Sequence, residues 1–286
     1  MIAGRTDLGE ILDRLARRRA ERGGSLAWSL AWHETVESTN DLARELAASG
    51  SPEGTVVLAG EQTRGRGRSG RTWHSPPGQG LYASVLLRPQ AAPAHVPLVG
   101  LLAGIAAAEA LAGLSGAEVR VQWPNDLVAG DRPGRSPAEA RRKVGGILVE
   151  ARTSAGALRD VVAGIGINLA QREGEFPPDI AHRAVSLETL SGRAIGVTVA
   201  AAAVLGSLDG WYTLWGGRDH EAVLSAYRRL AVDLEGTRVR VHDGGPPWEG
   251  LTAGLADDGA LRVRRSGPGG RTAALRYGEV QRVEEI

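Results

Sequence analysis

The sequence predicts an α+β fold: a mixed central sheet with helices, followed by a small β-barrel. Over residues 27–234, β-patterned runs alternate with segments of helical apolar spacing, without any internal repeat. Near Gly236 the composition changes, and five short alternating runs separated by Gly, Asp and Pro turns fill about fifty residues. At 286 residues the chain can bury a core without disulfide or metal staples. The expected organisation is a helical extension over 1–26, a main domain over 27–234 and a small β-domain over 235–286.

Leu8, Ile11, Leu12 and Leu15 share one helical face, so a short amphipathic helix is expected to end near Gly23 and Gly24. Residues 27–37 alternate as a strand. Ser38, Thr39, Asn40 and Asp41 then offer N-cap oxygens ahead of Leu42, Ala43, Leu46 and Ala47, a helix stopped by Gly50. Strands at 55–59 and 81–87 lie on either side of a Gly/Arg loop at 64–71. Residues 96–114 form a long Ala-rich helix. Its Pro97, Gly100, Gly104, Glu109 and Gly113 fit a buried helix better than a membrane span. Strands at 119–123 and 146–150 flank a Pro/Gly/Arg-rich loop at 129–142, and 161–169 reads as a buried strand. Helices cover 197–214 and 221–230. The terminal strands are expected at 238–242, 249–255, 261–265, 272–276 and 280–283.

Composition narrows the function classes. There is no cysteine, which excludes disulfides, thiolate metal sites and a cysteine nucleophile. Charge is nearly balanced, 34 Lys+Arg against 33 Asp+Glu, unlike a dedicated nucleic-acid binder. The N-terminal stretch lacks the apolar core of a signal peptide and carries Asp7, Glu10 and Asp13, so a cytosolic protein is expected. The six histidines show no zinc spacing and read as surface or satisfied residues, and no G-x-S-x-G elbow is present. Lys143 is the single lysine, and Asn40, Asn125 and Asn168 are the only asparagines. A GC-rich codon bias explains this scarcity. The four retained residues are therefore candidates for positions that Arg, Asp or Ser cannot fill.

Several constellations hold chemistry-bearing residues. Gly65-Arg66-Gly67-Arg68-Ser69-Gly70-Arg71-Thr72-Trp73 joins exposed backbone N–H groups to three guanidinium forks, suited to a phosphate ligand. It is neither a Walker loop nor a Rossmann turn, and RNA binding or a solvated loop remain alternatives. Trp123-Pro124-Asn125-Asp126 suits either a tight turn or a metal-bound polyphosphate. Lys143 opens a buried strand ahead of Gly145 and Gly146, where a compact cation meets a carboxylate or phosphate better than a planar guanidinium does. Asn168 ends the strand containing Gly164 and Gly166, either as an amide aimed into a cleft or as one satisfied by backbone. Glu37-Ser38-Thr39-Asn40 and Gln62 supply small donors and acceptors for a neutral head group, although capping alone accounts for Ser38 or Thr39.

In this order, STN, GRGRxGRxW, WPND, K-x-x-G-I-L-V-E and G-I-G-I-N, the motifs resemble biotin protein ligases over roughly residues 30–170. The C-terminal strands resemble that family's SH3-like domain. The resemblance implies that biotin's carboxylate attacks the α-phosphorus of Mg·ATP, giving biotinyl-5′-AMP. A lysine of a biotin carboxyl carrier domain then takes up the biotin. Ser38, Thr39, Asn40 and Gln62 would line the head-group pocket, and Gly65, Arg66, Gly67 and Arg68 would form a loop that closes over biotin and adenylate. Arg68, Arg71 and Trp73 would serve the nucleotide, with Arg68 and Lys143 catalytic. Lys143 would bridge the biotin carboxylate and the α-phosphate beside Gly146. Asn125, Asp126 and Asn168 would face ATP, with Asp126 holding Mg²⁺. The Gly-rich loop is expected to be mobile until ligand orders it.

Family members often carry Lys immediately before WPND, where this chain has Gln122. Too few residues precede Ala31 for a winged helix, so no specific DNA binding is expected. A homodimer through the central sheet is a further implication of the resemblance. The alternatives are a lipoyl- or octanoyl-transferring relative of the same fold, an RNA-binding module, and a degenerate ligase serving as a biotin-binding scaffold. With one internal amine, Lys143, the chain should label itself little with leaked adenylate.

Overall fold

The computed structural model describes residues 6–129, 141–216, 218–267, 269–276 and 279–283. Most of the loop expected at 129–142 therefore lies outside the described residues. Helix α1 (Leu8–Arg22) is capped by Asp7 and stopped at Gly23, whose φ of 78° suits glycine. The main sheet then builds in the order β1-β2-β3-β7-β6-β5-β4-β8. Its strands are β1 (Ser29–Val36), β2 (Thr55–Gln62), β3 (Gly80–Leu87), β4 (Val119–Gln122), β5 (Asp126–Ala129), β6 (Arg142–Ser154), β7 (Ala157–Asn168) and β8 (Ala231–Val232). The outer pairs β1–β2 and β4–β8 are parallel and the inner ones antiparallel, so the sheet is mixed, as expected.

Alternation along the strands gives the sheet two unlike faces. On β7, Val161, Ala163, Ile165 and Ile167 join the main core. Val162, Gly164, Gly166 and Asn168 face the other way. The core face is covered by α3 (Val96–Ser115) and α6 (Val197–Trp215). Both helices are long and apolar enough to cross a membrane, yet most of each is buried inside the protein. α1 docks Ile11 and Leu15 into the same core. Buried Asp209 of α6 accepts the N–H groups of Ser25 (2.8 Å) and Leu26 (3.1 Å), fixing the chain that leads into β1. On the second face, α2 (Thr39–Ala48) packs Ala43 and Ala47 on Val57, Leu86 and Val162. α2 covers only part of that face, and the remainder is the floor of a cleft.

Short helices α4 (Pro178–Ala181) and α5 (Leu187–Ser191) follow β7, and α7 (His220–Leu230) precedes β8. The second sheet holds β9 (Glu235–His242), β10 (Trp248–Leu255), β11 (Leu261–Arg265), β12 (Thr272–Leu275) and β13 (Glu279–Arg282), ordered β12-β11-β10-β9-β13. It is antiparallel, and it holds the five short strands expected. Among the described residues β12 and β13 do not pair, so the sheet is open rather than a closed barrel. Its apolar side chains Val239, Val241, Leu255 and Leu261 belong to the same core cluster as the main sheet. The turn before β11 seats Gly259 against Leu98 and Leu101, and its carbonyl accepts from Trp123 Nε1 at 3.1 Å.

Candidate active site

The cleft is about 620 Å³. Its floor is made where β6 and β7 present glycines instead of side chains. A Cβ at 166 would sit 2.6 Å from the Trp73 indole, and one at 164 would collide with the Asn40 amide oxygen. The two glycines are thus the space occupied by Trp73 and Asn40. At 146, the same substitution would crowd Lys143 and Trp73.

Ser38 is the N-cap of α2 and turns Thr39 and Asn40 towards the sheet. All three are nearly fully buried. Thr39 donates its backbone N–H and its hydroxyl to Gln62 Oε1, at 2.9 and 3.0 Å. Gln62 Nε2 donates to Ser75 Oγ at 2.9 Å. Ser84 Oγ lies 2.6 Å from Asn40 Oδ1 and 2.8 Å from Thr39 Oγ1. These short polar groups form one preorganised patch at the closed end of the cleft.

The loop over that end is a tight hairpin. Gly67 N–H donates to Arg71 O, Trp73 N–H to Gly65 O, and Arg66 bridges Thr72. Gly65 does not line the cleft. It lies behind, where a side chain would strike Trp73 O and Ser75. Arg66 Nη2 meets Asp41 Oδ1 at 2.9 Å and Glu150 Oε2 at 2.7 Å. Asn40 Nδ2 donates to the same Glu150 oxygen at 2.8 Å. Glu150 therefore ties the loop to the head-group patch. Arg68 Nη1 donates to Asn125 Oδ1 at 3.3 Å.

Lys143 is the second residue of β6, opposite Val128, beside a bulge against β5. Its ammonium lies 2.6 Å from Asp126 Oδ1 and 5.4 Å from the Trp73 ring centroid. Asn168 lines the cleft, and its amide nitrogen is held by backbone. Its Nδ2 donates to Val185 O (3.2 Å) and Lys143 O (3.4 Å), fixing the backbone that carries the ammonium. Two side-chain donors of cleft-lining residues, Arg66 Nε and Trp73 Nε1, are buried without a partner among the described residues. Six cations (Arg66, Arg68, Arg71, Arg141, Lys143 and Arg183) line the cleft against one carboxylate, Asp126. Arg66, Lys143 and Arg141 are ion-paired to Asp41 and Glu150, Asp126, and Asp233, and the lining as a whole remains rich in cations.

Of the residues expected from sequence, Ser38, Thr39, Asn40, Gln62, Arg66, Gly67, Arg68, Arg71, Trp73, Asn125, Asp126, Lys143, Gly146 and Asn168 line this one cleft. Sequence reasoning missed Ser84, Glu150, Arg141 and the apolar wall of Phe176, Ile180 and Ala184. Glu150 ended a motif already in view, and its even spacing from Gly146 along β6, which sets it on the cleft face, was the available signal. The histidine expectation also needs correction. His95 and His220 meet edge-on with ring centroids 4.1 Å apart, and His220 Nε2 is buried without a partner among the described residues. They sit where α3 and α7 begin, a juxtaposition that sequence spacing does not reveal.

The pattern of the biotin/lipoate A/B protein ligase family matches residues 32–168. The chain belongs to this family, and its similarity runs to the biotin branch. It is 33% identical to the biotin–[acetyl-CoA-carboxylase] ligase of Mycobacterium tuberculosis, over 86% of each chain. It is 31% identical to the bifunctional ligase/repressor BirA of Bacillus subtilis, over 80% of this chain and 67% of that one. The structure of the Aquifex aeolicus biotin protein ligase in complex with biotin and ATP superposes with a TM-score of 0.71 at 26% identity, covering 90% of this chain and 99% of that one.

Proposed function

We propose that this chain activates biotin with ATP to biotinyl-5′-AMP and passes biotin to one lysine of a biotin carboxyl carrier domain. The observation that carries the reading is the cleft itself. One cleft combines a patch of neutral donors and acceptors, roofed by the Arg66 loop, with five further cations and one carboxylate. That polarity matches a neutral ring system whose carboxylate tail must meet a polyphosphate.

In the first step a biotin carboxylate oxygen bonds to the α-phosphorus and pyrophosphate leaves. Both reactants are anions, so the protein's task is to hold them together and offset their charge. Thr39, Asn40 and Gln62 orient the head group through Ser38 and Ser84. Lys143 stands between carboxylate and α-phosphate, where a compact ammonium reaches both. Arg68 and the unpartnered Trp73 and Arg66 donors serve the tail and the nucleotide, Arg71 and Asn125 add to the nucleotide side, and the apolar wall near Phe176 takes the base. Asn168 contributes by holding Lys143.

Among the described residues no cluster of three or more His, Asp or Glu suits a resident metal. Asp126 alone fits Mg²⁺ that arrives with the triphosphate, since Mg²⁺ uses one or two carboxylates plus phosphate oxygens. Bound there, Mg²⁺ would lower the charge of the phosphates. The Arg66 loop opens to admit substrates and closes to keep water from the adenylate. In the second step the carrier amine attacks the acyl carbon and AMP leaves. The reaction belongs to the cytoplasm, consistent with a chain whose two long apolar helices are mostly buried.

The test is transfer. With biotin, Mg·ATP and a purified carboxyl carrier domain, intact-mass and peptide analysis should find one biotin on one carrier lysine. Transfer of lipoate or octanoate instead would keep the fold and replace the substrate.

A further inference from the structure

Two of the six cleft cations, Arg141 and Arg183, have no role in the reading above. Arg141 directly precedes β6 and lies two residues before Lys143. In an extended chain this separation is about 6–7 Å and keeps both side chains on one face. Both line the cleft. If Lys143 meets the α-phosphate, a cation that far along the strand stands where the outer phosphates run.

Gln122 and Asp233 show how Arg141 is held. Arg141 Nη1 bonds Asp233 Oδ2 at 2.9 Å, and Gln122 Nε2 donates to the same oxygen at 3.2 Å. The Arg141 and Asp233 side chains are only 20% and 14% exposed. Asp233 keeps φ at 59°, a left-handed backbone that few non-glycine residues adopt and that a surrounding structure must impose. Gln122 pairs with Asp126 across the β4–β5 turn, and Asp126 bonds Lys143. The amide at 122 thus carries no charge itself but helps fix a carboxylate that aims a guanidinium. A guanidinium has five N–H donors, so bonding Asp233 is compatible with also bonding phosphate.

We propose that Arg141 binds the β- and γ-phosphates of ATP, with Asp233 and Gln122 as its positioning residues. This inference rests on the adenylation reading, and one assay separates the two. Biotin-dependent exchange of labelled pyrophosphate into ATP is measured on the full chain, varying Mg·ATP at saturating biotin and then biotin at saturating Mg·ATP. Arg141→Ala should raise the KM for Mg·ATP about tenfold or more, the loss expected for a hydrogen bond to a charged group. The biotin KM should stay within about twofold, since Arg141 lies away from the head-group patch. Arg141→Lys should recover part of the loss, and adding Gln122→Lys to Arg141→Ala should restore ATP binding. An unchanged ATP KM in Arg141→Ala overturns the proposal. So does an equal rise in both KM values with a lowered melting point and no recovery by lysine at either position, which is the mark of a merely structural ion pair. Absence of exchange in the unsubstituted chain overturns the adenylation reading, and the proposal with it.

Discussion

Glu150→Gln isolates the latch between the loop and the head-group patch. The substitution keeps shape and removes charge. The carboxylate accepts from Arg66 (2.7 Å) and Asn40 (2.8 Å) on one oxygen and from Arg44 (3.2 Å) on the other. Arg44 is half exposed, so that pair is worth about 0.3–0.5 kcal/mol. The Arg66 pair is better shielded but still open to solvent, which leaves about 1 kcal/mol. The Asn40 bond to a charged acceptor adds about 1 kcal/mol. A glutamine keeps one acceptor, so the loss is about 1–2 kcal/mol. About 1 kcal/mol of this bears on loop closure, because only Arg66 belongs to the loop. That shifts the closed-to-open ratio roughly fivefold. Preformed, labelled biotinyl-adenylate should therefore dissociate about fivefold faster from Glu150→Gln in a chase experiment, with the melting point lowered only slightly. An unchanged release rate would refute the latch. Equal acceleration by Arg44→Ala would refute it too, since Arg44 does not touch the loop.

Gly164→Ala should displace Asn40, because the new methyl collides with the amide oxygen. Overpacking of this kind costs about 1–3 kcal/mol, and the loss should appear as weaker biotin binding in calorimetry with little change in ATP binding. Incubated with biotin and Mg·ATP and no acceptor, the chain should carry at most a trace of biotin, because its one lysine is held by Asp126; mass spectrometry finding several internal biotins would end that idea. Burial, and then the neighbouring His220, hold the His95 pKa below its usual 6.5, with Asp258 opposing. The unfolded chain then takes up the proton first, so this contribution to stability is full above about pH 6.5 and is lost as pH falls through that value towards the folded pKa. Urea midpoints between about pH 7.5 and pH 5.5 should fall less steeply in His95→Gln, and an identical slope would contradict the assignment.

Much of the fold was legible because its signals are local. Short, nearly continuous apolar runs marked β2, β3 and β7, the Ser38 cap marked α2, and turn-separated runs marked the second sheet. β5 was missed because four residues between a Pro-Asn turn and a Gly/Arg-rich stretch carry too little periodicity. The site was legible through scarcity, as a chain nearly free of Lys and Asn kept them where the cleft formed. Asn168 reads differently in three dimensions. Its rarity pointed to the ligand, while its hydrogen bonds go to the Lys143 and Val185 backbone. Ser84, Glu150 and Arg141 stayed hidden because their significance is relational. Each is an ordinary residue until strand register sets it beside Asn40, Arg66 or Lys143.

The account's central claim is that Lys143 joins a biotin carboxylate to the α-phosphate, and pyrophosphate exchange tests it most directly. The unsubstituted chain should exchange labelled pyrophosphate into ATP only when biotin is present, and lipoate should not replace it. Lys143→Ala should fold and lose roughly 10²–10³ of that rate, the range for removing one preorganised charge-stabilising donor. Lys143→Arg should recover little, because a planar fork cannot occupy the ammonium's place beside Trp73 and Asp126. Exchange in Lys143→Ala at close to the unsubstituted rate would contradict the claim.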